Sequence, residues 1–212
     1  MQGKSHLTPV GIAQHIIQRS DNGQVCFDSD EDIAVYIHWL YEASRRFQVR
    51  IHAWVFMTNH IHLLATPMAP GAVSKMMQNL CRRYLYYFNH TYDRTGDLWE
   101  DRFKFCLVED GHYILHCQRY IELHPVTAGI VDDPVDYQWS SYRAHALGAP
   151  VKLSSPHELY LTLGDTPDER QKQYRGLFKA TVNWTLISKI RDAVSEGLVL
   201  GTDKFKEELC SI

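Results

Sequence analysis

Apolar and polar positions change period several times between Gly11 and Pro125, and each change marks an element. Gly11-Ile12-Ala13-Gln14-His15-Ile16-Ile17-Gln18-Arg19 is rich in β-branched residues and predicts a first strand, closed by the turn cluster Ser20-Asp21-Asn22-Gly23. Asp28 to Asp32 supply N-cap candidates and first-turn acids. From Ile33 apolar residues recur at helical spacing (Ile33, Ile37, Leu40, Tyr41, Phe47), with Arg45 and Arg46 in the last turns. Val49 to Met57 and His60 to Pro67 predict two further strands, and the two-residue link Thr58-Asn59 makes them an antiparallel hairpin. A long helix is expected from Val73 to Tyr92, with Met76, Met77, Leu80, Leu85 and Phe88 as its buried stripe. Gly96 to Arg102 is a turn, Phe103 to Val108 a fourth strand, and His112 to Leu123 a helix. That helix is stopped by His124-Pro125, because a residue before proline is pushed out of the helical region.

The order strand, helix, strand, strand, helix, strand, helix predicts an α+β sandwich. Its expected form is a ferredoxin-like or RNA-recognition-like antiparallel sheet with the helices packed on one face. From Ala128 the chain is looser. Gly148-Ala149-Pro150 and Ser154-Ser155-Pro156 bracket a linker, followed by short helices near Pro156–Leu163, Thr166–Thr181 and Asn183–Glu196 and a capped helix start at Gly201 to Phe205. The tail reads as a helical extension docked on the sheet domain, too short for a sizeable core of its own.

Composition narrows the class without naming a chemistry. At 212 residues, 45% hydrophobic and 22% charged, the chain suits one globular domain with an appendage. No apolar run approaches the roughly 20 residues that span a bilayer. The segment Met1 to His6, with Lys4, lacks the apolar core of a signal peptide. Five scattered cysteines show no metal or disulfide spacing, so a reducing cytoplasmic setting is expected. A net charge of −3 argues against non-specific coating of nucleic acid but leaves room for a locally basic groove.

Histidines and tyrosines, 12 of each, direct attention to two places. Along a strand, side chains alternate faces, so His60 and His62 point the same way. Two imidazoles on one face of an apolar strand are poor core material and good ligands for divalent ions. Alone, the pair reads more readily as a half-buried strand with satisfied histidines. The predicted helix after the fourth strand carries His112, His116, Tyr120 and His124 at four-residue spacing, which puts Tyr120 and His124 on one face. An amphipathic seam has the same spacing. Combined with His60 and His62, however, His124 completes a three-imidazole cation site open to a substrate oxygen, with Tyr120 against the open position. A phenol is a weak nucleophile at neutral pH, since its pKa is about 10. It becomes useful where a cation stabilises developing negative charge, as in phosphodiester cleavage that leaves a phosphotyrosine and a free hydroxyl.

The ordered set of motifs resembles the single-tyrosine HUH transposases, most closely their REP-associated tyrosine transposase branch. The residues that carry the resemblance are the opening strand ending Gln18-Arg19, Met57-Thr58-Asn59-His60-Ile61-His62-Leu63-Leu64, and Arg83-Tyr84 with Tyr87-Phe88-Asn89. They continue through Leu98-Trp99-Glu100-Asp101-Arg102-Phe103, Tyr120-Ile121-Glu122-Leu123-His124-Pro125 and Trp139-Ser140-Ser141-Tyr142-Arg143. The resemblance implies a catalytic domain over residues 1–146 and a helical extension over 147–212. It also implies Mg²⁺ or Mn²⁺ as cofactor, and a single-stranded DNA substrate with a REP-like hairpin beside a short guide sequence. Cleavage would form a 5′-phosphotyrosine, with Tyr120 as nucleophile and His60, His62 and His124 as metal ligands, in a monomer or a homodimer. Relatives commonly carry an amide residue four positions after the tyrosine, where this chain has His124.

Two other readings stay open: a hairpin-binding regulator of the same fold without catalysis, and a metal-dependent phosphoesterase using water. The second needs a carboxylate base, for which Glu122 is the nearby helix acid, off the face of Tyr120. Arg19, Arg82, Arg83, Arg102 and Lys104 are candidate DNA contacts, with Gln18 and Lys4 near the expected guide-reading region. His15, His52, His112 and His116 read as structural or surface histidines, and Asn59 as the residue that sets the hairpin turn.

Overall fold

Local sequence signals set most of the element boundaries. A computed structural model describes residues 9–179 and 183–211, so Lys4 and the expected helix end at Thr181 lie outside the described residues. Strand β1 covers Ala13–Arg19, β2 Val49–Met57, β3 His60–Pro67 and β4 Lys104–Val108. Between them, helix α1 (Asp30–Arg46) starts at a capping box. Ser29 accepts from the Asp32 amide, and Asp32 Oδ2 accepts in return from the Ser29 amide at 3.1 Å. Helix α2 covers Ala72–Thr91 and α3 His112–Glu122. The buried Asp32 also accepts from Tyr87 and Tyr92, so the cap of α1 is tied to α2.

The sheet order is β2-β3-β1-β4-β5, with the two-residue strand β5 (Val199–Leu200) supplied by the tail. The first four strands pair antiparallel in the ferredoxin-like arrangement, and β5 runs parallel to β4. The expected α+β, ferredoxin-like class therefore stands, in a sheet that is mixed rather than purely antiparallel. The placement of helices on one face needs correcting. Helices α1 and α2 cover one face, where Ile16, Trp54, Phe56, Ile61 and Leu63 join Tyr36, Leu40, Met76 and Tyr84. Helix α3 and α8 (Trp184–Glu196) cover the other, against Ile17, Val55, Leu64 and Cys106. The physical reason is visible in β2 and β3, whose apolar runs are continuous rather than alternating, as strands buried on both faces must be. A bulge between Ile51 and Ala53 switches the faces in β2, so Val49 and Ile51 share a side with Trp54 and Phe56.

His124 departs from its expectation. It opens a further short helix, α4 (His124–Thr127), with Leu123 also in helical conformation at the junction. Pro125 is tolerated there because a first-turn residue has no intrahelical use for its amide. The remaining helices are α5 (Tyr142–Leu147), α6 (Glu158–Leu161), α7 (Pro167–Lys179) and α9 (Asp203–Cys210), the last capped by Thr202. None of the helices among the described residues is long and apolar enough to cross a membrane.

A candidate metal and nucleophile site on the sheet

The sheet register places the site. His60 lies opposite Arg19 and Met57, and His62 opposite Ile17 and Val55, so both imidazoles project from strand β3, between β1 and β2, toward α3. On that helix Tyr120 sits one turn before His124, with ring centroids 6.1 Å apart. The structure brings these four predicted residues together. One ligand atom from each of His60, His62 and His124 falls within 4.8 Å of the others, and the Tyr120 ring lies 5.9 Å from that of His62.

Hydrogen bonds decide which nitrogens are free to act. His60 Nδ1 donates to Asn59 Oδ1 at 2.7 Å, which leaves Nε2 as the lone-pair nitrogen, 2.8 Å from His124 Nε2. His62 Nδ1 is held at 2.8 Å by His15 Nε2, so His62 has only Nε2 to offer. Asn59 is thus the turn residue expected and also the partner that orients His60. His15, expected as a structural or surface histidine, is fully buried and touches both His62 and, at 5.7 Å between ring centroids, Tyr120.

The electrostatics favour neutral imidazoles. Burial lowers His60 to about 3, helped by His124 and Arg19, and lowers His124 to about 4 with Arg19 adding to the effect. His62 is held well below its ordinary value by burial first and then by His15 and the other two rings. Burial raises Tyr120 to about 12, with Cys117 adding and Arg191 and Arg19 opposing. Neutral imidazoles are the form that ligates a cation. Cis ligands of an octahedral ion lie about 3.0 Å apart at bonds of 2.0–2.1 Å, close to the His60–His124 separation. The donor set therefore fits a divalent ion.

The basic candidates divide between the two faces. Arg19 follows the alternation of His15 and Ile17 on β1 and lies beside His60, and Lys104 lies opposite Ile17 on β4 in the same row as His62. Both are exposed. Arg82 and Arg83 project from α2 on the other side of the sheet. Arg83 is committed to Glu42 at 2.7 Å and lies over the Trp39 ring. Arg102 reaches Ser74 of α2 and, with Gln18, lines a cavity of about 490 Å³.

Glu122 turns away from the site. It is fully buried, with Oε1 accepting from Ser141 at 2.5 Å and His145 at 2.7 Å and Oε2 from Tyr174 at 2.6 Å. A carboxylate so enclosed cannot serve as the base of a water-using phosphoesterase.

Residues 10–124, more than half of the chain, match the family model described as "Transposase IS200 like". Among solved structures, the chain is similar to a REP-associated tyrosine transposase bound to a REP hairpin. The identity is 18% and the TM-score 0.53, over 70% of this chain and 88% of that one. A putative transposase from Deinococcus radiodurans R1 is 24% identical over 54% of this chain and 92% of its own, with a TM-score of 0.39. No curated protein matches the sequence.

Proposed function

The chain belongs to the IS200-like transposase family, and from that premise we propose that it cleaves and rejoins single-stranded DNA beside a REP-like hairpin through Tyr120. The observation that carries the reading is the convergence of His60, His62 and His124 on one point with the Tyr120 ring against it. The hairpin comes from the solved relative described as bound to a REP hairpin.

The chain's own residues supply the steps. The half-buried phenol of Tyr120, protonated at neutral pH, gives up its proton as its oxygen attacks phosphorus. The new oxygen–phosphorus bond makes a 5′-phosphotyrosine, and the bond to the 3′ oxygen breaks, leaving a 3′-hydroxyl. A 3′-hydroxyl attacking the phosphotyrosine later releases Tyr120 and joins the strands. Arg19 and Lys104, on the same face, balance the phosphate charge. His60, His62 and His124 would hold a divalent ion, which when bound would supply positive charge against the negative charge that develops in the reaction. Three imidazoles form a softer donor set than a magnesium site requires, so Mn²⁺ is the better match of the two ions expected.

A labelled single-stranded REP-like hairpin incubated with Mn²⁺ tests the reading. The expected product is a covalent protein–DNA adduct that Tyr120→Phe abolishes. An adduct that persists in Tyr120→Phe overturns the nucleophile. Tight hairpin binding with no cleavage in either ion supports the regulator instead.

A further inference from the structure

His15 stands outside the three-histidine set yet is the most deeply enclosed ring beside it. It is fully buried on β1, with its Nε2 2.8 Å from His62 Nδ1 and its ring stacked 5.1 Å from that of His62. Its edge also meets the Tyr120 ring. A single proton lies between His15 Nε2 and His62 Nδ1, and which ring carries it decides what His62 can do. If His15 donates, His62 holds its proton on Nε2 and presents an N–H to His60 and His124. If His62 donates, its Nε2 lone pair faces them. His15 then carries its own proton on Nδ1, which is buried and without a hydrogen-bond partner among the described residues.

We propose that His15 is a positioning residue of the site: it accepts the Nδ1 proton of His62 and so turns the His62 Nε2 lone pair toward His60 and His124. A metal-bound histidine depends on an acceptor for its second ring nitrogen to fix tautomer and ring angle. Asn59 Oδ1 plays that part for His60, and His15 plays it for His62. An imidazole does so less one-sidedly than a carbonyl, because it can also donate. Without the ion, the donating form of His15 avoids an unpaired buried N–H. Ion binding therefore selects between two tautomers of a neutral pair, with no change in the number of protons bound. The same contact sets the ring of His15 against Tyr120, so the nucleophile and one ligand share a support.

The inference rests on the reading of His60, His62 and His124 as ligands, and the experiment separates the two. Calorimetric titration of the full chain with Mn²⁺ is compared for wild type, His15→Phe and His15→Gln. His15→Phe keeps the ring volume without an acceptor, and His15→Gln restores an acceptor near the position of Nε2. A ten- to hundred-fold loss of affinity is expected in His15→Phe, with most of it recovered in His15→Gln. Wild-type affinity in His15→Phe, or equal loss in both variants, overturns the role of His15 alone. A wild type that binds no Mn²⁺ overturns the ligand reading and this inference with it. Long-range ¹H–¹⁵N spectra of wild type loaded with diamagnetic Zn²⁺ provide a test that needs no variant. His62 protonated on Nδ1 is expected, and protonation on Nε2 overturns the proposal.

Discussion

Two polar clusters meet on helix α3, two residues apart in sequence and opposite in character. On the Glu122 side, one carboxyl group has both oxygens met by Ser141, His145 and Tyr174, within a shell of α5 and α7 side chains. On the Tyr120 side, four histidines and a phenol face one another with no anion among them, their imidazoles neutral through burial. In the first cluster both carboxyl oxygens are met, and although His145 Nε2 is buried without a partner among the described residues, the cluster behaves as a strut. The second has lone pairs directed at a shared point and gains a full set of partners only from something added. Buried polar groups are normally satisfied, so ring nitrogens converging on one point mark the site, and a carboxyl group met at both oxygens fixes the helix that carries it.

The largest expected effect breaks the strut. Glu122→Ala or His145→Ala leaves partners of a buried pair unmet and should cost about 3–5 kcal/mol in chemical denaturation. His60→Ala, at the half-buried edge of the other cluster, should stay within about 1 kcal/mol of wild type. Equal losses at His60 and Glu122 would erase the distinction between strut and site.

Ligand addition should act on the open cluster alone. Mn²⁺ at about 100 times its dissociation constant should stabilise wild type by about 2.7 kcal/mol, read as a raised Tm, and should leave His124→Ala unmoved. Mg²⁺ at equal concentration should stabilise less, because its preferred ligands are oxygens. A larger shift with Mg²⁺ would argue that the imidazoles are not the ligands.

Acid should act on the same cluster with a defined sign. His15 and His60 sit at about 3 and His124 at about 4, against 6.5 when unfolded. The unfolded chain therefore binds more protons below neutrality, and stability rises with pH across that window. It is fully present above about pH 6.5 and lost as pH falls toward the folded values. From pH 7.5 to 6, each histidine contributes somewhat under about 1 kcal/mol to the loss. His60→Ala should flatten the slope of metal-free Tm against pH, and an unchanged slope would remove His60 from the buried neutral set.

What could be read from the chain alone follows the range of each interaction. The hairpin at Thr58-Asn59, the cap at Ser29 and the pairings His60/His62 and Tyr120/His124 are local periodicities, and the structure places them as expected. That the two pairs converge is an inference from their chemistry, to which the resemblance adds, since spacing alone carries no sheet order. His15 does not stand out in the sequence because its contact with His62 depends on the β1–β3 register, which pairs residues 47 positions apart. A proton-accepting partner for each strand histidine was the signal to seek, and only Asn59 stood next to one. Strand β5 has two residues and hence no period to detect. The Glu122 strut draws Tyr174 from a tail that reads as a loose run of short helices.

The smallest effect tests whether the open cluster lies on the side proposed to face DNA. Arg19 stands beside His60 and acts electrostatically on the three clustered histidines and Tyr120, whereas Arg83 is spent on Glu42 and Trp39 across the sheet. Each phosphate contact to a single strand changes the slope of log affinity against log salt by about 0.7. Arg19→Ala should lower the slope for single-stranded DNA by about that amount. Arg83→Ala should leave the slope unchanged and shift stability by no more than about 1 kcal/mol, as an exposed ion pair does. A reduced slope in Arg83→Ala would place DNA on the α2 face as well. The strand would then wrap both faces of the sheet, and proximity to the histidines would no longer identify its path.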